Sequence, residues 1–221
     1  MHDLAALLRK ETHTIHRRVE SGVFMTALLK GEIEKSAYVL FLRNLEPIYE
    51  ALERGLVFHA DAPGISPIIV QSLFRLPSLH RDLAFLHGAD WRIEVPQLDA
   101  CSAYVDHLNA IQSTVPARLA AHAYVRYLGD LSGGQMLRKI VSQSLNLGDQ
   151  NEGVNFYNFG EPPEVVRLVQ RFRAGLNLIG EPANTGLADE AVTAFELHIG
   201  LFDDLALISG LTFAESLSSP C

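Results

Sequence analysis

Apolar residues recur at three- and four-residue steps along almost the whole chain, the spacing of helices with one buried face. In "SAYVLFLRNLEPIYEALERGL", Tyr38, Phe41, Leu45, Ile48, Leu52 and Leu56 make one such stripe. Pro47 falls inside it and predicts a kink or a break, because proline has no N–H to give the preceding turn. The same spacing runs through "DACSAYVDHLNAIQS", "PEVVRLVQRFRAGLNLI" and "LADEAVTAFELHIGLFDDLALIS", and "LRKETHTIHRRVESGVFM" reads as a first helix. Pro116 suits the first turn of the helix that leads into "YLGDLSGGQMLRK". Breaks are expected at "HADAPGISP", "HGADWRIEVPQ" and "LGDQNEGVNFYNFGEPP". No strand-like alternation, internal repeat or low-complexity tract interrupts the pattern, and no linker-like shift in composition follows the longest break. One all-α domain over residues 1–221 is the expectation.

Gly129, Gly133 and Gly134 conflict with that pattern. Each glycine inside a helix costs about 1 kcal/mol relative to alanine, so some requirement must offset three of them within six residues. A phosphate loop is excluded: Gly129 and Gly134 have its spacing, but Gln135 and Met136 follow where lysine and a hydroxyl residue are needed. "LSGGQ" also spells the signature of ABC transporter ATPases, yet neither a Walker A lysine nor a strand-rich nucleotide domain accompanies it. Two explanations remain. Gly129 and Gly133 form a small face against a neighbouring helix, or the backbone closely approaches a flat ligand, with the Asp130 carboxylate beside it.

Composition narrows the setting. A hydrophobic content of 48% against 20% charged is that of a globular chain, and 221 residues suffice for a sizeable core. The net charge of −8 argues against a nucleic-acid binder. Cys101 and Cys221 are the only cysteines, too few for a disulfide framework or a cysteine zinc site. The N-terminal "MHDLAALLRKETH" carries too short an apolar run for a secretory signal. Asp203 and Asp204 interrupt the C-terminal apolar segment below the roughly 20 residues a membrane anchor needs. A cytoplasmic, unanchored monomer is expected.

The first helix supplies a partner signal. His16 and Glu20 are four apart, so the carboxylate can orient the imidazole as it does for metal-bound histidines. His13 and then Arg9 precede His16 by successive turns, and an imidazole flanked by cations suits an anionic metal cofactor such as haem. Spacing alone leaves two other readings open: a histidine with a helix-stabilising partner, and a two-histidine metal site. A di-iron site would repeat Glu-x-x-His on separate helices, and the chain has only scattered acids.

The segment "AHAYVRYLGDLSGGQMLRKI" at 121–140 resembles the signature helix of the haem oxygenases, and "ETHTIHRRVESGVFM" resembles their proximal helix. "IYEALE", "RDLAFLHGADW" and "AFELHIGLFDDL" are similar to further segments of that family, so the likeness runs from about Leu4 to Leu205. It implies a helical fold with haem between a proximal helix and a glycine-kinked distal helix. Haem would be both cofactor and substrate, with O2 as co-substrate and electrons from a ferredoxin, a flavodoxin-type protein or a reductase. The ring would be opened to biliverdin, ferrous iron and carbon monoxide. By the same resemblance His16 is the axial iron ligand, supported by Glu20, and Gly129 and Gly133 leave room for the ring and its oxygen. Asp130 organises distal waters with Arg126 and Tyr49, while Tyr124, Arg173, Arg9 and His13 face the propionates. Met25, Phe195 and Phe202 line the pocket.

The chain departs from the family at three places. His13 and Val169 stand where lysines are common, with Arg167 or Arg171 as possible substitutes for the second, and His198 replaces a familiar asparagine. These departures bear on haem seating and hence on the biliverdin isomer. Two alternatives are a haem carrier or sensor on the same fold and a helical thiaminase-type enzyme. The first would be marked by loss of Asp130 or the glycines; the second leaves His16 and the Tyr127–Gln135 run unexplained.

Overall fold

The computed structural model describes residues 3–148 and 152–212. Cys221 and part of the third expected break lie outside the described residues. Among those described there are nine α-helices and no strand. They are α1 (Leu4–Glu20), α2 (Val23–Lys30), α3 (Lys35–Phe58), α4 (Leu76–Leu86), α5 (Trp91–Glu94), α6 (Asp99–Thr114), α7 (Leu119–Ser144), α8 (Pro162–Asn177) and α9 (Leu187–Ile208). Single 3₁₀ turns lie at Ser66–Ile68, Gln71–Leu73, Pro116–Arg118 and Asn155–Tyr157.

Helix α9 is the axis of the bundle. It packs on α1, α2, α6 and α7, and its Ala191, Ala194, Leu201 and Leu205 are wholly buried. Small residues on this face let neighbouring helices approach closely from several sides. Helices α1 and α7 each pack far more closely on α9 than on one another. Helix α3 closes the bundle against α4 and α6, burying Leu42, Leu45, Ile48 and Leu52 completely.

Four local expectations change. Pro47 does not break α3, which runs unbroken for 24 residues. The missing N–H costs about 3 kcal/mol, and the buried leucines and isoleucine on both sides of Pro47 hold the helix through it. The expected first helix is two: α1 ends at Glu20, and Gly22 is extended (φ −65°, ψ 155°) before α2 begins. Met25 therefore rides on α2. Pro116 opens a 3₁₀ turn that leads directly into α7. The break at "HGADWRIEVPQ" contains the one-turn helix α5.

Helix α8 meets the Ser66–Ile68 turn at Gly175, where an added Cβ would lie 2.2 Å from the Pro67 carbonyl oxygen. Backbone cannot move aside as a side-chain tip can. Gly175→Ala is therefore expected to lower stability by about 1–3 kcal/mol in denaturant unfolding. Gly180→Ala, whose Cβ meets nothing within 4 Å, is the control and should change stability little.

Candidate active site

Three helices bring their polar residues together around one guanidinium. Arg126 of α7 donates from Nε to Tyr49 Oη of α3 (3.0 Å) and from NH2 to Asp130 Oδ1 one turn on (3.1 Å). NH1 donates to His198 Nε2 of α9 (2.6 Å). That bond fixes the His198 tautomer, so Nδ1–H donates to the Ala194 carbonyl (3.0 Å). Tyr49 in turn donates to Asp130 Oδ2 in a short hydrogen bond. All four residues are buried. Burial pushes the Asp130 carboxyl above its usual range, against the charge of Arg126 and the hydrogen bond from Tyr49. Burial and the neighbouring guanidinium hold His198 well below the usual imidazole range, so it stays neutral and accepts.

The family resemblance implied a distal water network around Asp130, Arg126 and Tyr49; the three side chains bond one another directly. It marked His198 only as a departure; His198 is a direct partner of Arg126. Tyr104 of α6 was missed. Its ring lies edge-on to His198 at 4.9 Å, and its hydroxyl is 3.0 Å from His122 Nδ1. Local sequence holds no signal for Tyr104, because its partners are on other helices.

On α1, His16 is half exposed (47% of its side chain), with Nδ1 3.6 Å from Glu20 Oε2. That contact engages one ring nitrogen and leaves Nε2 for another partner. The ring also stands edge-on to Phe195 of α9 at 5.6 Å. Phe195 and His198 are three residues apart, about 4.5 Å along the helix. One turn of α9 therefore connects the imidazole of α1 to the buried network of α7.

Tyr124 of α7 and Thr12 of α1 are 3.3 Å apart at their hydroxyls, and Thr12 is anchored on the Leu8 carbonyl (2.7 Å). Burial raises the Tyr124 pKa, while the hydrogen bond with Thr12 and the charges of Arg173 on α8 and Arg9 on α1 oppose it; both arginines are exposed. His13 is exposed in a shallow depression with Thr14, Arg17, Arg18 and Ser21. Val169 is half-buried against the core, and Arg167 is paired with Glu164. Met25 packs on the core, and Phe202 stacks on Phe24 (5.8 Å) and tilts against Phe41 (6.0 Å). Phe202 is thus a core residue.

The glycines separate into two kinds. Helix α7 is continuous across all three. A Cβ on Gly129 would meet nothing within 4 Å, and one on Gly133 would meet only Leu137 of its own helix at 3.9 Å. Neither packs on another helix, so the helix-packing explanation fails at both. Gly134 differs, with Tyr157 at 3.5 Å from its would-be Cβ. The open faces of Gly129 and Gly133 flank Asp130 in sequence and give the backbone room for a flat group.

An all-helical bundle with a half-exposed histidine, an open glycine face and a buried acid network is suited to a large planar metal-bearing ligand. The family model for Heme oxygenase matches residues 2–204. Heme oxygenase 1 of Synechocystis sp. PCC 6803 is 37% identical over 205 residues, spanning 92% of this chain and 85% of that protein. The crystal structure of heme oxygenase-1 from the same cyanobacterium, in complex with heme, superposes with a TM-score of 0.87 at 36% identity, covering 94% of each chain. That of its heme oxygenase-2, in complex with heme and NO, gives 0.89 at 33% identity, over 94% of this chain and 87% of that one. The chain belongs to the haem oxygenase family, and the enzyme activity of that family is haem degradation.

Behind Asp130, the buried Glu53 of α3 accepts the backbone N–H groups of Arg75 (2.5 Å) and Leu76 (3.3 Å). Burial outweighs these bonds and raises its pKa to about 7. Above the unfolded value near 4.5 and below 7, the folded chain therefore holds a proton that the unfolded chain has released. The contribution of Glu53 to stability should fall as pH rises through that window. Denaturant unfolding at several pH values checks this: Glu53→Gln should flatten the slope between pH 4.5 and 7 relative to the parent.

Proposed function

We propose that the protein binds haem between α1 and α7 as its substrate and opens the ring to biliverdin, ferrous iron and carbon monoxide, using O2 and electrons from a partner protein. The observation that carries this reading is the single turn of α9 linking two features. On one side is the ring of His16, with Nδ1 at Glu20; on the other is the Arg126–Asp130–Tyr49 network beside the open faces of Gly129 and Gly133. Haem supplies the redox-active iron and the ring carbon that is oxidised.

The chain's own residues do the rest. His16 Nε2 would bind iron, and Glu20 would accept from Nδ1–H, setting the tautomer and ring angle. Arg9 and Arg173 would answer the propionate charges, Tyr124 would donate to one of them, and Thr12 holds Tyr124 in place. His13 adds a donor at the same edge. Gly129 and Gly133 would let the distal backbone lie against the ring, so that steric contact directs oxygen toward one edge. Asp130, raised by burial and restrained by Arg126 and Tyr49, would hold and pass the proton that the reaction consumes. Phe195 and Met25 would exclude water beside the proximal histidine.

The electron donor is a ferredoxin, a flavodoxin-type protein or a reductase, and the setting is the cytoplasm, with the protein acting as a monomer. The acidic composition and the two cysteines support that setting. Among the described residues no helix is long and apolar enough to cross a membrane. The direct test is hemin titration followed by a reductant under air. A histidine-type haem spectrum that decays to a bile-pigment band is expected; a stable haem band would make the protein a carrier.

His16→Ala should lose turnover while keeping its helical circular dichroism, because a half-exposed side chain adds little to the core. Added imidazole should restore part of the activity, and full turnover without it would remove His16 from its role.

Gly133→Leu and Asp130→Asn separate space from proton supply. Leucine suits a helix better than glycine by about 0.8 kcal/mol, and only Leu137 lies near. Gly133→Leu should therefore keep or raise the melting temperature yet lose haem binding in the optical titration. Asp130→Asn should bind haem normally and fail in turnover.

A further inference from the structure

A second cluster lies outside the proposed haem contacts. His107 of α6, His122 of α7 and Glu190 of α9 bring two imidazole nitrogens and a carboxylate oxygen within 4.8 Å of one another. Both imidazoles aim Nε2 at the same atom, Glu190 Oε1, at 2.5 Å from His107 and 3.0 Å from His122. The other carboxylate oxygen is taken by Arg118 NH1 at 3.2 Å.

We propose that His107, His122 and Glu190 form a binding site for a divalent transition-metal ion of the zinc type. Two histidine nitrogens and one carboxylate oxygen are a zinc ligand set of the kind that leaves a fourth position open. Bonds of about 2.0–2.1 Å in a tetrahedral site put neighbouring ligand atoms about 3.3 Å apart. Glu190 would back away from the two nitrogens by about 0.3–0.8 Å, and the two imidazoles, whose nitrogens lie within 4.8 Å, would close on the ion by side-chain rotation. The ligands come from three helices of the core, so the fold positions them without a mobile loop. The outer partners are also in place: Tyr104 Oη lies 3.0 Å from His122 Nδ1, and Arg118 holds the free oxygen of Glu190. His122 and Glu190 are buried, whereas 30% of the His107 side chain is exposed, which gives an ion its way in and leaves the fourth position toward solvent.

Binding has a structural signature. Without metal, a carboxylate can only accept, so His122 carries its proton on Nε2 and Tyr104 donates to Nδ1. A metal on Nε2 moves the His122 proton to Nδ1, where it points at the Tyr104 oxygen.

The test is calorimetric titration of metal-free, haem-free protein with zinc chloride, with nitrogen-15 NMR of the histidines. His107→Ala is the informative variant, because its partly exposed side chain is not needed to fill the core; His16→Ala is the control. One equivalent of zinc should bind, weakened about tenfold or more by His107→Ala and unchanged by His16→Ala. The His122 proton should shift from Nε2 to Nδ1. Lack of binding at millimolar zinc, equal affinity in His107→Ala, or a loss seen in His16→Ala instead would overturn the site. So would an unshifted His122 tautomer in the zinc-loaded protein.

Discussion

A guanidinium cannot lose its charge, so a buried one must be answered by partners on every donor it turns inward. Arg126 turns three toward Tyr49, Asp130 and His198, and each stands on a different stretch of helix. Taking away one partner of a buried charged pair costs about 3–5 kcal/mol. That cost fixes α3, α7 and α9 relative to one another around one point. The same constraint holds the Asp130 carboxyl by both oxygens and keeps His198 neutral. The chemistry expected of Asp130 thus rests on an arrangement that the fold also needs.

Helix α9 carries this constraint outward. Phe195 touches His16, His198 touches Arg126, and Glu190 touches His107 and His122. Helices α1 and α7 both lean on α9 more than on each other, and the Thr12–Tyr124 hydroxyl contact joins them directly. Gly129 and Gly133 leave the α7 surface beside them open, at about 1 kcal/mol each in helix stability. No packing contact offsets that cost.

Buried acids in this protein meet two opposite environments. Glu53, answered mainly by backbone N–H groups, is pushed up to about 7. Glu190 is also penalised by burial, yet hydrogen bonds from His122 and His107 pull it down to about 2. The difference is the pair of imidazole hydrogen bonds that Glu190 accepts where Glu53 accepts backbone N–H groups. It leaves Glu190 ionised and leaves Glu53 able to hold a proton near neutrality.

The helical period determined the elements and their buried faces, because a stripe at three- and four-residue steps can be buried only by a helix that turns that side inward. The pairs within one helix were legible for the same reason: His16 with Glu20 and Arg126 with Asp130 are each four residues apart, where a helix makes neighbours. The run from Tyr127 to Gln135 pointed to the family by itself. Spacing did not decide whether Gly129 and Gly133 serve packing or a ligand, since that depends on what other helices place in front of them. Nor did it reveal Thr12 under Tyr124, Tyr104 beside His198, or the meeting of His107, His122 and Glu190. Each of those contacts joins residues distant in sequence, and a pattern along one chain carries no record of which faces of which helices will meet. Tertiary packing chose those partners, and with them the acidities of the groups they join.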